Sequence, residues 1–337
     1  MRFFTSTINK GIRQAAQSPA LRFSQAQAFR NVRQYSTETP AKKGGLSNGL
    51  LLGLLGAGFV SGIAYNKKQG KTCPLQEDRS SSVFKSRGFV SLKLLDIQPV
   101  THNTSLFRFA LPEGQTSGLP VASCVIVKHS SGGFLPVLRP YTPISDEKTA
   151  GHIDFMIKKY DDGAMTPLIH TMKPGDTLDF KGPMVKYDWE NTQKQNVGMI
   201  AGGTGITPML QIIKRIFHED STDKNVRVSL IYANQTEQDI LLKNELDKIA
   251  KEHPDRFKVV YALDKAPTNW TGVSGFVNKE VIQEHLPSPQ AEDSIIFVCG
   301  PPPMVKSIAG ETILMSQGKL GGILKELGYS KDRVFKF

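Results

Sequence analysis

The sequence predicts an antiparallel β-barrel followed by an α/β domain built on a parallel sheet, the pair preceded by one transmembrane helix. Three observations predict it. Short β-type runs with turns between them recur over 84–190, strand and helix patterns alternate over 191–337, and 44–66 carries no charged residue. Regular short strands separated by turns suit a barrel, and strands alternating with helices suit a parallel sheet covered on both faces. An uncharged run of that length can span a hydrocarbon core about 30 Å thick.

Residues 1–43 are expected to be a mitochondrial targeting leader. They hold Arg2, Lys10, Arg13, Arg22, Arg30, Arg33, Lys42 and Lys43 against Glu38 alone, so +7 of the chain's net +11 lies there. The stretch is rich in Arg, Ser and Gln, as import peptides are; a disordered basic tail is the plainer alternative. What remains is mildly basic and calls for no nucleic-acid partner. The anchor, 44–66, centres on Leu50-Leu51-Leu52-Gly53-Leu54-Leu55 and has lysines on both flanks, so charge counting leaves its orientation open. The polar segment 67–83 reads as a linker.

The barrel, 84–190, is expected to contain strands Phe89–Ile97, Thr104–Ala110, Cys124–His129, Val137–Tyr141, His152–Lys158 and Thr177–Lys181, with one helix over Ala164–Met172. Within it, Arg139-Pro140-Tyr141-Thr142-Pro143 joins a cation, a ring and a hydroxyl on a backbone that two prolines hold extended. Side chains alternate along such a segment, so Arg139 and Tyr141 face the same way. That suits a ligand anionic at one end and flat at the other, such as a flavin dinucleotide; an edge strand with an ordinary surface arginine is the alternative. The turn Asp161-Asp162-Gly163 leads into the expected helix, where free N–H groups would favour a pyrophosphate. Thr166 adds a hydroxyl there and Lys158 a positive charge.

The α/β domain, 191–337, begins with a buried strand, Val197–Ala201, running into Gly202-Gly203-Thr204-Gly205-Ile206-Thr207-Pro208. The glycines allow close backbone approach to a ligand, although this is neither GxGxxG nor a Walker loop and a plain strand-to-helix turn remains open. Expected helices follow at Leu241–Ala250, Lys279–His285 and Met304–Leu314, with strands Val226–Tyr232, Lys258–Leu263 and Ile295–Cys299. Ligands gather at the C-terminal ends of such strands. Asp264, at one end, can accept from ribose hydroxyls and repel a 2′-phosphate; an ordinary surface aspartate is the alternative. Cys299-Gly300-Pro301-Pro302-Pro303-Met304 ends another strand; with no histidine nearby to activate the thiol, Cys299 reads as a packing and positioning group. The three cysteines and seven histidines show no metal-ligand spacing, so no metal site is expected.

Arg139-Pro140-Tyr141-Thr142, Gly202–Pro208 and Cys299–Met304 in this order resemble the ferredoxin–NADP reductase superfamily, and within it the NADH–cytochrome b5 reductase family in its fungal mitochondrial form. The likeness spans nearly all of 84–337. It implies a ferredoxin reductase-like fold, FAD and NADH as cofactors, cytochrome b5 as partner, and the mitochondrial outer membrane together with the intermembrane space as location. It implies an FAD pyrophosphate ligand in Arg139, a flavin-packing ring in Tyr141 beside Pro140, and a hydroxyl near flavin N5 in Thr142. Lys158 and Tyr160 match the family's strand lysine and tyrosine, and Gly163, Met165 and Thr166 its phosphate turn, although Ala164 stands where relatives often carry lysine. Gly203, Thr204, Gly205 and Thr207 correspond to the NADH- and flavin-side loop, Asp264 to the residue favouring NADH, and Phe276 to one beside the adenine. Cys299, with Gly300, Pro301 and Met304, corresponds to the nicotinamide wall, and Phe337 to the aromatic C-terminus. Thr142, Thr207 and Cys299 are the expected catalytic positions. The alternatives are a related reductase module serving another heme or oxygenase acceptor, or a tethered dinucleotide-binding scaffold without turnover.

Overall fold

The computed structural model describes residues 82–85, 88–130, 135–192, 194–313 and 316–337. The expected leader, the anchor and almost all of the linker lie outside the described residues. Among the described residues no helix is long and apolar enough to cross a membrane.

The first sheet contains β1 (Val90–Thr101), β2 (Thr104–Ala110), β3 (Ser123–His129), β4 (Val137–Tyr141), β5 (His152–Lys158) and β6 (Thr177–Val185), in the order β4-β3-β6-β1-β2-β5. Every pairing is antiparallel. Strand β1 serves two partners: Val90–Lys93 pairs with β6, and Leu94–Thr101 with β2 across two register shifts. Such an irregularity bends a strand, and here the sheet curls about Phe107, Phe109, Phe155 and Phe180, all fully buried. The Phe155 and Phe180 rings stack 5.5 Å apart, with Phe109 edge-on to Phe180 at 4.9 Å. On the opposite face, Arg108 forks onto Asp154 directly across the strands, both bonds 2.8 Å. The end strands β4 and β5 form no ladder with each other. The seam is tied just past β4, where Ile144 N–H donates to the Asp154 carbonyl at 2.9 Å and Asp154 N–H to Ser145 Oγ at 3.1 Å.

Between β5 and β6 lies α1 (Thr166–Ile169), a single turn where a helix over Ala164–Met172 is expected. The chain before it is held in a turn, and Pro167 can occupy only the first positions of a helix.

The second sheet is wholly parallel: β7 (Asn196–Gly202), β8 (Arg227–Asn234), β9 (Phe257–Leu263), β10 (Val273–Ser274), β11 (Ser294–Cys299) and β12 (Val334–Lys336), in the order β10-β9-β8-β7-β11-β12. On one face α2 (Ile206–Phe217) contributes Ile206, Met209, Ile212, Ile213 and Ile216, the 3–4 spacing of an amphipathic helix. The other face is covered by α4 (Lys279–His285), α5 (Pro302–Ala309) and α6 (Gly322–Glu326); α3 is Lys243–Glu252. The helix expected over Met304–Leu314 stops at Ala309, because Gly310 takes a φ of +85° and turns the chain out. The closing strand β12 and helix α6 carry no periodicity long enough to read in sequence.

The two sheets share a core. Ala122, Met156 and Trp189 from the first part of the chain are buried in the same cluster as Val197, Met199 and Ile206.

Candidate functional site

The order of the parallel sheet positions the site. From β7 the chain steps outward through β8 and β9, then crosses back to lay β11 on the other side of β7. The loops leaving β7 and β11 therefore part in opposite directions, opening the crevice where open α/β sheets bind ligands. Ala201 and Cys299 pair side by side at that point. Gly203–Gly205 forms a short turn there before α2. A Cβ on Gly205 would collide with the Cys299 carbonyl, so only glycine lets the two loops touch. Thr207 is buried at the first turn of α2, its Oγ1 donating to the Thr204 carbonyl at 3.1 Å.

Across the crevice stands the end of β4. Tyr141 packs its ring against the core of the antiparallel sheet. Burial pushes its phenol up to about 12, against the opposing pull of Arg139. Arg139 itself is exposed, its guanidinium donating to the Leu138 carbonyl at 2.8 Å. Lys158 ends β5 with its ammonium 4.0 Å from Asp239 of the second domain. That carboxylate is buried, accepts from the Thr236 N–H and hydroxyl through Oδ2, and leaves Oδ1 without a hydrogen bond.

The turn after β5 is tightly built. Gly163 N–H donates to the Tyr160 carbonyl at 2.9 Å. A Cβ on Gly163 would sit 2.7 Å from Thr166 Oγ1. The hydroxyl of Thr166 donates to the Tyr160 carbonyl, so its proton is committed to the turn. Amides of Ala164, Met165 and Thr166 make no hydrogen bond among the described residues, and they are the groups here able to receive an anion. Met165 is only 2% exposed and faces the barrel core, which leaves its backbone alone for any ligand.

One cleft of about 430 Å³ lies between these walls, within the usual range of small-molecule sites. Of the residues expected from sequence, it brings together Pro140, Tyr141, Thr142, Lys158, Tyr160 and Thr166 from the barrel side. From the sheet side come Thr204, Gly205, Thr207, Cys299, Gly300 and Pro301, with the C-terminal Phe337. Arg139, Gly163, Met165, Gly203 and Met304 stand outside its lining. So do Asp264 and Phe276: β9 lies two strands from β7, about 10 Å at ordinary strand spacing. These two sit together at that edge, since Gly275 N–H donates to the Leu263 carbonyl at 2.8 Å. Phe276 is 79% exposed, a bare ring at the edge of the sheet. Burial pushes the Asp264 carboxyl upward, against the pull of Lys265.

Sequence reasoning missed Cys124, Met156, Ile157 and Lys186, which also line the cleft. No local pattern marks them; the fold brings them there from β3, β5 and the end of β6. Burial pushes the Cys299 thiol up to about 12 and that of Cys124 to about 11, both opposed by Lys186. Neither thiol is a nucleophile at neutral pH.

The donor set fits the two dinucleotides. Free turn amides and an exposed guanidinium suit a pyrophosphate, a cleft walled by Tyr141, Pro301 and Phe337 suits flat rings, and Asp264 suits ribose hydroxyls.

Comparison with known proteins agrees. Residues 91–189 match the oxidoreductase FAD-binding domain and residues 199–310 the oxidoreductase NAD-binding domain. The chain is 44% identical to NADH-cytochrome b5 reductase 2 of Pyricularia oryzae over 331 residues, covering 95% of this chain and 99% of the relative. It is 45% identical to the protein of the same name from Aspergillus terreus over 309 residues, covering 90% and 95%. Among solved structures, the cytochrome b5 reductase domain of Ulva prolifera nitrate reductase superposes with a TM-score of 0.65 at 29% identity, covering 75% of this chain and 99% of that one. A ferredoxin NADP+ reductase from Neisseria gonorrhoeae shares the fold, with a TM-score of 0.59 at 19% identity over 75% of this chain and 99% of that one. The chain belongs to the NADH–cytochrome b5 reductase family of FAD- and NAD-binding oxidoreductases.

Proposed function

We propose that this chain takes a hydride from NADH onto FAD and passes single electrons to cytochrome b5, and that residues 44–66 hold it in the mitochondrial outer membrane. The observation that carries the reading is a cleft with Tyr141 and Thr142 on one wall and Thr207, Cys299 and Gly300 on the other. Bound FAD supplies the chemistry, accepting two electrons together and releasing them one at a time.

The chain's own part is placement. Arg139 and the amides of Ala164–Thr166 would hold the pyrophosphate, and Tyr141 with Pro140 would lie against the flavin. Thr142 and Thr207 would flank the reacting rings from the two walls of the cleft. Lys158 and Tyr160 meet the cofactors at the barrel rim, while Thr204, Gly203 and Gly205 give the nicotinamide half its backbone loop. The Cys299 thiol stays protonated and acts as a wall with Pro301, Gly300 and Phe337, excluding water from the hydride path. Met304 packs its thioether beside Gly202 and Gly300 and so fixes that wall from behind. Asp264 takes the ribose hydroxyls and disfavours a 2′-phosphate; Phe276 covers the adenine.

The basic leader over 1–43 and the uncharged run after it support import and anchoring. An acidic heme partner would be steered by surface lysines, so its reduction should be salt-sensitive. The test uses the purified full chain with NADH and cytochrome b5 at rising ionic strength, together with protease protection of fractionated mitochondria. Cytochrome b5 reduction that falls with salt, by a protein found in the outer membrane, supports the reading. Flavin reduction without electron delivery to cytochrome b5 overturns the partner; a matrix location overturns the anchor.

A further inference from the structure

Hydride transfer across a domain boundary demands that the two walls keep their register, since a misplacement of about 1 Å can cost on the order of 100-fold in rate. Helix α2 carries the means. Its first turn brings Thr207 into the cleft, and one turn later, on the same face, comes Gln211. The amide of Gln211 is used at both ends. Its Oε1 accepts from Ser123 N–H at 3.2 Å, and its Nε2 donates to the Pro143 carbonyl at 3.1 Å.

Each of those backbone groups is next to a residue of the opposite wall. Ser123 precedes Cys124, and Pro143 follows Thr142; both neighbours line the cleft. One side chain thus fastens the start of β3 and the segment just past β4 to the helix that presents Thr207. A further turn along, Lys214 donates to the Ile144 carbonyl at 3.0 Å and pairs with Glu245 at 3.2 Å, continuing the seam away from the cleft.

We propose that Gln211 is a positioning residue for the hydride step, fixing the distance between the flavin wall (Tyr141, Thr142) and the nicotinamide wall (Thr207, Cys299). This rests on the NADH-to-FAD reading above. Only an amide serves here, because the site needs one acceptor and one donor on the same planar group. A carboxylate would keep the Ser123 bond and set a lone pair against the Pro143 oxygen. Docking itself does not depend on Gln211: Ala122, Met156 and Trp189 bury apolar surface in the second domain's core.

The test is single-turnover reduction of the bound flavin by saturating NADH in wild type, Gln211→Met and Gln211→Glu, all as full-length holoprotein. Flavin content, NADH dissociation constant and the isotope effect with 4-deuterated NADH are measured alongside. The expected result is a reduction rate lowered about tenfold or more in both variants, with an altered isotope effect, near-unchanged flavin content and an NADH dissociation constant within about twofold of wild type. A merely structural role would lower flavin content and weaken NADH binding together with the rate, and that pattern overturns the proposal. So does an unchanged rate. Wild-type protein that holds no flavin, or flavin that NADH does not reduce, overturns the underlying reading, and this proposal with it.

Discussion

The hydroxyl of Thr166 holds Tyr160 by both of its backbone polar groups, accepting from the N–H at 3.0 Å and donating to the carbonyl at 3.2 Å. This pair of bonds shapes the turn whose free amides face the proposed pyrophosphate. Thr166→Val keeps the volume and removes both bonds. Because the turn is exposed, the fold should lose only about 1 kcal/mol. Flavin release should be faster by about tenfold or more, read by the recovery of free-flavin fluorescence after dilution. Unchanged release would mean that the turn does not hold the cofactor.

Asp264 and the exposed Phe276 form an isolated edge two strands from the cleft, where a ribose and adenine would rest. Replacing the carboxylate by Asp264→Ser removes its repulsion of a 2′-phosphate. The kcat/KM ratio of NADPH to NADH should rise about tenfold, an effect of roughly 1.4 kcal/mol. Steady-state kinetics with both nucleotides measures it; an unaltered ratio would place the selectivity elsewhere.

Lys336 is only 3% exposed, and its ammonium donates to the carbonyls of Ala309, Gly310, Glu311 and Lys319 at 3.0–3.4 Å. It ties the segment after α5 to the C-terminal strand that places Phe337. Lys336→Met should cost about 2–3 kcal/mol, because buried carbonyls lose a charged donor. The urea midpoint of unfolding measures this. A loss below about 0.5 kcal/mol would mean that the carbonyls find other partners.

Burial raises the thiols of Cys124 to about 11 and Cys299 to about 12, and the phenol of Tyr141 to about 12. A group whose folded pKa is raised contributes stability in full below its unfolded pKa, near 8.5 for a thiol and 10 for a phenol. That contribution is lost as pH climbs toward the folded values. The urea midpoint should therefore hold steady from pH 7 to 8 and fall between pH 9 and 11. In Cys299→Ser the fall should be shallower; an identical slope would show that the thiol is not the titrating group.

Much of the architecture was legible because local pattern and tertiary role coincide. Strands β2, β4 and β5 are bounded as expected: β2 turns Phe107 and Phe109 onto the phenylalanine core, β4 half-buries Val137 and Tyr141 against it, and β5 is buried on both faces from Ile153 to Ile157. The glycine loop after β7 was legible for a steric reason that the structure supplies in Gly205 against Cys299. Helix ends were less so. The chain after Ala309 keeps apolar residues that mimic a helix, but Gly310 turns it toward the Lys336 ammonium, a tertiary contact with no local trace. Lys186 and Cys124 enter the cleft for the same kind of reason, carried there by strand pairing. The leader and anchor were read from composition alone and fall outside the described residues.

The most direct test of the account is anaerobic rapid mixing of the full-length protein with NADH or NADPH, following the visible absorbance of bound flavin. The expected result is a yellow protein bleached by NADH far faster than by NADPH, then reoxidised on adding cytochrome b5. A colourless protein, or a yellow one that NADH leaves oxidised, would contradict it.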